Sequence, residues 1–184
     1  MRRFQQNLSN FKRGDFYAIF RKIILNEGIE RKDFLEFWFS HVKFFNCSFR
    51  NVTFSASQGY SLKFTNCQLS YAIFLKTDLT NIIFRDYQFI SCNFAGSYLI
   101  DIHYINCQLN RVYFNATSLD DFKFEKSHLL DVSFGGSNIE NSTLKDICFR
   151  SMVVWKTSSK DGILTEEEIP IQNYTSFLAE FVKE

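Results

Sequence analysis

The side chains able to do chemistry are few in this chain. There are three histidines, at 41, 103 and 128, and five cysteines. A Cys–His pair can ligate a metal or form an activated nucleophile, and His128 and Cys148 stand twenty residues apart. No third ligand or orienting carboxylate accompanies them, so neighbourhood without chemistry is the expected outcome. Cys47 and Cys67 share that spacing, which would bring them within disulfide reach if twenty residues make one structural repeat. An odd cysteine count and an N-terminus without an apolar leader instead point to reduced thiols in the cytoplasm. The segment 157–168 carries Asp161, Gly162 and Glu168 at the offsets of a calcium loop. Its first ligand would be Thr157, and Pro170 interrupts the helix that should follow. An Asp-Gly turn before an acidic segment is the plainer reading. With no nucleophile motif, phosphate loop or metal-ligand spacing, the expectation is a protein without catalysis, cofactor or metal.

The elements that position these residues must be read from composition and spacing. A chain of 184 residues suits one domain with a sizeable core. Its 21 Lys and Arg against 20 Asp and Glu argue against a general nucleic-acid binder or a polybasic membrane protein. No apolar run approaches the ~18–20 residues of a membrane helix. The unusual entries are 23 Phe, 7 Gly and 1 Pro. So much Phe with so few chain breakers suggests one repeated packing position.

That position recurs every fifth residue. From Phe44 to Val154, 22 of 23 such positions are large and apolar, and Gly59 alone breaks the series. Twelve of the 14 Phe in this stretch fall in the register, where chance would place one in five. A second column, two residues earlier, runs Val42, Cys47, Val52, Ser57 and onward to Met152, uncharged throughout and mostly small. A helix or a flat strand would scatter a five-residue period over every face. A solenoid with four short sides, at twenty residues per coil, turns the same residue to its axis every time. Coils stacked at about 4.8 Å make 44–154 a rod of roughly 25 Å.

Runs such as Cys47-Ser48-Phe49-Arg50-Asn51, Thr77-Asp78-Leu79-Thr80-Asn81 and Thr117-Ser118-Leu119-Asp120-Asp121 resemble the consensus of the pentapeptide-repeat family. The resemblance implies an all-β fold, a right-handed quadrilateral β-helix. This chain departs from the consensus in favouring Phe at the centre and in rarely having Gly at the fifth position.

The ends read as helical caps. Phe16, Ile19, Phe20, Ile23 and Ile24 have helical spacing, with Asp15 as N-cap and Gly28 as stop, which predicts a helix over about 15–26. Residues 34–39 fit either a helix or the first coil. At the far end Tyr174, Phe177, Leu178, Phe181 and Val182 form an amphipathic stripe after a polar loop at about 156–169. Three regions are therefore expected: a helical cap and first coil over 1–41, the β-helix over 42–155, and an acidic loop with an amphipathic helix over 156–184. Capping is the plain role of both helices. Pairing of the C-terminal one with a second copy, through Tyr174, Phe177, Leu178 and Phe181, is the sharper one.

Four sides sort the surface. Side one, centred on Phe44, Phe64 and their successors, and side two, centred on Phe49 and Leu69, are net basic. Side three, centred on Phe54, Phe74 and Phe94, has Lys76 as its one charge and carries Ile73, Leu75, Tyr113, Val153 and Trp155 among small polar residues. A flat, nearly uncharged side is a candidate protein-contact surface. Side four, centred on Gly59, Leu79 and Leu99, carries Asp78, Asp101, Asp120, Asp121 and Glu140 without a base. The family resemblance implies gyrase-binding relatives, whose acidic rods imitate duplex DNA. Duplex DNA carries one charge per ~1.7 Å, about fourteen over this length, against five here. The expectation is a non-enzymatic cytoplasmic rod that binds another protein through its flat faces. The alternative partner is a type II topoisomerase, met through side four. Neither membrane nor direct nucleic-acid binding is expected.

Overall fold

The computed structural model describes residues 18–151 together with 158–160 and 163–164. It is an all-β right-handed solenoid of about six turns. Every strand pairing joins residue i to residue i+20 in parallel: Gln58↔Asp78, Asp78↔Tyr98 and Tyr98↔Ser118 are typical. Sides four and one share one sheet. Its middle strands, Gln58–Thr65, Asp78–Arg85, Tyr98–Ile105 and Ser118–Glu125, run round the corner between the two sides. Side two is a second sheet, and side three is joined by single bridges from Asp33 through Thr53, Ile73 and Asn93 to Tyr113.

The Phe column fills the axis. On side one Phe44, Phe64, Phe84, Tyr104 and Phe124 stack with ring centroids 4.6–5.0 Å apart. On side three Phe34, Phe54, Phe74, Phe94, Phe114 and Phe134 stack at 4.5–5.2 Å. Coil spacing of ~4.8 Å falls within the range that aromatic rings prefer, so a flat ring in every coil forms a continuous pile. This accounts for the chain's preference for Phe.

Each corner needs a left-handed residue. Every fifth residue from Arg21 to Ser151 has a positive φ, 48–58° at the non-glycine residues and 71° at Gly96 and Gly136, the only glycines among them. Asn and Asp, which tolerate this conformation best after glycine, supply many of the others. They also bond along the corner: Asn66 Nδ2 donates to Asn46 Oδ1 (2.8 Å), and Asn46 Nδ2 to Asn26 Oδ1 (3.0 Å). The corner from side three to side four is a tight turn, with Ser57 N–H donating to Phe54 O at 3.1 Å and a positive φ at Ala56, the pattern of a type II turn.

The small inner column is polar where this corner needs it. Ser97 Oγ donates to Phe74 O (2.6 Å) and accepts from Thr77 N–H (3.1 Å). Ser57 acts likewise, donating to Phe34 O and accepting from Phe37 N–H, and Ser137 does so with Phe114 O and Thr117 N–H. A buried hydroxyl is tolerated when donor and acceptor are both used. Serine or threonine accordingly stands here every twenty residues from 57 to 137.

Two expectations about the ends are revised, and the choice left open over 34–39 falls to the coil. The helix over 15–26 is not formed in the described part: Ala18–Phe20 and Ile23–Leu25 are strands, and Gly28 begins a third, Gly28–Glu30. Ile19, Ile24 and Ile29 lie in the five-residue register and pair with Phe39, Phe44 and Phe49. Those three isoleucines are buried, whereas Phe20 and Ile23 of the supposed helical stripe face solvent. Residues 34–39 follow the same register, with Phe34 and Phe39 inside and Trp38 outside. Within the expected loop, Ser158–Lys160 and Ile163–Leu164 continue the ladder on Asn138–Glu140 and Thr143–Leu144. An exposed top coil offers backbone partners to whatever chain follows, so polar residues are recruited too. The C-terminal stripe of Tyr174, Phe177, Leu178 and Phe181 lies outside the described residues.

Gly59 is a compensated coil. It sits in strand Gln58–Thr65 without a bulge, and Leu79 and Leu62 lean into the space its side chain would occupy. A Cβ there would meet Leu79 Cδ2 at 2.7 Å and Leu62 Cδ1 at 3.0 Å. A cavity of about 30 Å³ remains beside it, lined by Phe39, Phe64, Leu69 and Leu79 among others.

Candidate protein-contact faces

Side three displays the apolar residues read from the sequence, at wide intervals. Ile73 and Tyr113 lie in one outward column with Asn93 between them, and Leu75 lies in the next. All three are exposed, and Leu35, from the coil that precedes the 44–154 repeat, joins them. Val153 and Trp155 lie outside the described residues. The added coil also brings Lys32, Asp33 and Glu36 to this side, so it is less neutral than the repeat 44–154 alone implies.

Side four is richer than its charges suggest. One outward column runs Ala18, Trp38, Gln58, Asp78, Tyr98, Ser118, Asn138. The next runs Phe20, Ser40, Tyr60, Thr80, Ile100, Asp120, Glu140. Trp38 is 50% exposed and Tyr98 61%. Phe20 packs edge-on against Trp38 at 5.2 Å, and His41 against Tyr60 at 5.4 Å. An aromatic patch therefore occupies the N-terminal half. Counting charges alone misses it, because a helix over 15–26 takes Phe20 out of the register and the choice over 34–39 leaves Trp38 unplaced. The signal was present in the register, which steps back in fives from Phe44 through Phe39, Phe34, Ile29 and Ile24 to Ile19.

The five carboxylates do not form an even stripe. Asp78 stands between Gln58 and Tyr98, while Asp101, Asp120, Asp121 and Glu140 gather towards the C-terminal end. Asp120 and Glu140 are register partners. Asp120 accepts from Asn141 Nδ2 (2.8 Å) and Glu140 from Asn138 Nδ2 (2.9 Å). Lys123 Nζ lies 2.6 Å from Asp121 and His103 Nε2 lies 3.1 Å from Asp101. Arg21 shares the corner column of Asp101 and Asp121, so the expectation of a side without a base is corrected by the added coil.

His128 and Cys148 are register neighbours, as their spacing requires. Cys47 and Cys67 are free thiols one coil apart, with the Cys47 N–H donating to Cys67 Sγ at 3.3 Å. A side-chain hydrogen bond between the two thiols, then burial, raises the Cys67 thiol against the opposing pull of that N–H, and the same thiol–thiol bond lowers Cys47. Burial pushes Cys92 up to about 11 and Cys107 up to about 12.

The chain matches no family model and no curated protein. Among solved structures it is similar to full-length QnrB1, a plasmid-mediated fluoroquinolone resistance protein. Identity is 14% and the TM-score 0.49, over 90% of this chain and 96% of that one. It is also similar to Rfr23, a pentapeptide repeat protein from the cyanobacterium Cyanothece 51142, at 10% identity and TM-score 0.21, over 80% and 91% of the two chains. A third is HetL, a pentapeptide repeat protein involved in heterocyst differentiation regulation from Nostoc sp. strain PCC 7120. There identity is 12% and the TM-score 0.17, over 79% and 86%. The deciding observation is this chain's own geometry: parallel pairing at i+20 with a left-handed corner at every fifth residue. The protein is a β-solenoid consistent with a pentapeptide-repeat family. In such a solenoid the two inner columns are committed to the axis, and recognition falls to the outward ones. Among the described residues no helix is long and apolar enough to cross a membrane.

Proposed function

We propose that this solenoid is a non-enzymatic, cytoplasmic protein-binding rod acting through its flat faces, with side four as the principal one. The observation that carries the reading is the exposed aromatic patch of Phe20, Trp38 and Tyr60, continued by Tyr98 and Ile100. Trp and Tyr are the residues that most often dominate protein interfaces. Here they project from a ladder hydrogen-bonded on both edges, so little backbone order remains to be lost on binding. The carboxylates beyond the patch add charge complementarity for a basic partner, which favours encounter rate and register. Four buried free thiols suit a reducing compartment.

Affinity capture with three baits tests this: the wild type, a Trp38→Asp/Tyr60→Asp variant and a Leu75→Asp/Tyr113→Asp variant. Loss of the captured protein with the first variant and retention with the second is the expected outcome. The reverse would transfer the function to side three. A topoisomerase partner is the second reading, favoured by the carboxylates gathered on side four. A gyrase supercoiling assay with and without a quinolone addresses it. Protection at stoichiometric amounts, abolished by converting Asp78, Asp101, Asp120 and Asp121 to Asn, would establish that partner. No effect at large excess would remove it.

A further inference from the structure

Where sides four and one meet, Asp101, His103 and Asp121 converge. The two aspartates occupy the same corner position in successive coils, with φ of 55° and 51°. His103 follows two residues after Asp101 in strand Tyr98–Ile105. One ligand atom from each of the three lies within 4.8 Å of the other two, the one such group among the described residues. We propose that these three side chains form a binding site for a first-row divalent cation of the Zn²⁺ class, with water in the remaining positions.

A second observation concerns the histidine. His103 Nε2 is closed off from solvent and has no hydrogen-bond partner. Asp101 Oδ1 is 3.1 Å away, but out of line for an N–H···O bond. A ring nitrogen shielded from water beside a carboxylate oxygen, without a hydrogen bond between them, leaves both groups unsatisfied at that contact, and a cation would satisfy both. The distance suits a shared cation. Metal bonds of about 2.0–2.1 Å place adjacent ligand atoms about 2.9 Å apart in an octahedron and about 3.4 Å apart in a tetrahedron, and 3.1 Å lies between. One imidazole with two carboxylates suits a borderline cation such as Zn²⁺ or Co²⁺ better than Ca²⁺, which takes all-oxygen shells. Two carboxylates and neutral imidazole balance a divalent charge. The side chains of Asp101, His103 and Asp121 are 41%, 31% and 42% exposed, so an ion can enter from solvent and keep water ligands.

Lys123 is the built-in competitor. Its Nζ holds Asp121 Oδ1 at 2.6 Å, and it is the register partner of His103. A cation at the site must share Asp121 with this ammonium or displace it. The proposal therefore makes opposite predictions for two neighbouring residues, which a general attraction of cations to an acidic wall does not.

The test is Zn²⁺ titration of the full chain by competition with a chromophoric chelator, in a Cys148→Ser background that removes the exposed thiol. The Co²⁺ electronic spectrum is a second readout. Expected are one ion per chain, a d–d spectrum without thiolate charge transfer, and a loss of affinity of at least about 100-fold in His103→Ala and in Asp101→Asn. Lys123→Met should bind several-fold tighter. Thermal melts with and without Zn²⁺ separate folding from binding: the wild type should gain Tm with the ion, and a folded His103→Ala should not. No stoichiometric binding, binding unchanged in His103→Ala, or weaker binding in Lys123→Met would each overturn the site.

Discussion

Sides three and four are built on the same ladder and differ in what they show. Both lie over a buried column that repeats every twenty residues, Phe34 to Phe134 beneath one and Phe39 to Ile139 beneath the other. On side three the exposed apolar residues are separated by Thr53, Asn93 and Asn115, and the strands reduce to single bridges. On side four longer strands carry aromatics at one end and carboxylates with His103 at the other. The solenoid constrains its inward columns and leaves the outward ones free. Differences between two walls of one rod are therefore where selection for binding can act without disturbing the fold.

The strongest way to break the comparison is to remove what the walls share. Phe94 is fully buried and stacked between Phe74 and Phe114, at 4.5 and 5.2 Å. Phe94→Ala should cost about 3–5 kcal/mol in urea unfolding and impair both faces together. A cost under about 1 kcal/mol would mean that the aromatic pile does not hold the coils. Sharpening comes next: Trp38→Ala should weaken partner binding by about 30-fold or more, the mark of a hot spot of about 2 kcal/mol, with unfolding stability changed by no more than about 0.5 kcal/mol. Equal losses from Trp38→Ala and Leu75→Ala would erase the distinction between the sides.

Smaller effects probe the corner between them. Ser97→Ala strands the Thr77 N–H and takes one of two hydroxyl donors from Phe74 O, leaving that of Thr77, and should destabilise by about 1–3 kcal/mol in the same unfolding assay. Lys76→Gly, at a left-handed corner of side three, should stabilise by less than about 1 kcal/mol, because Gly removes the Cβ strain at some cost in chain entropy. A loss of stability there would show that the lysine stem packs on the wall. Finally, a thiol reagent added to the native protein should find Cys148 alone promptly, with Cys47, Cys67, Cys92 and Cys107 reacting only on unfolding.

The axis was legible because every fifth residue reports on it directly. Phe44, Phe64 and Phe84 need no contact map to be placed inside. The faces were legible only in part. Asp78, Asp101, Asp120, Asp121 and Glu140 could be put on one side by counting, but the bonds of Glu140, Asp120 and Asp121 to Asn138, Asn141 and Lys123, and the approach of His103 to Asp101, could not. The aromatic patch was missed for a different reason. Over Phe16–Ile24 a helical stripe and a five-residue register select overlapping residues, and a segment of nine residues is too short to separate the two periods.

By itself the sequence determined the number of sides, the twenty-residue coil and the identity of the core, because burying one large side chain per side is a local rule repeated along the chain. The tertiary structure decided where the coils begin and which outward side chains meet. Backbone pairing to a coil already in place draws Ala18–Phe20 and Ser158–Lys160 into the ladder whatever their local preference. The meeting of Phe20 with Trp38, or of Asp101 and His103 with Asp121, joins residues about a coil apart in sequence that only stacking brings within reach.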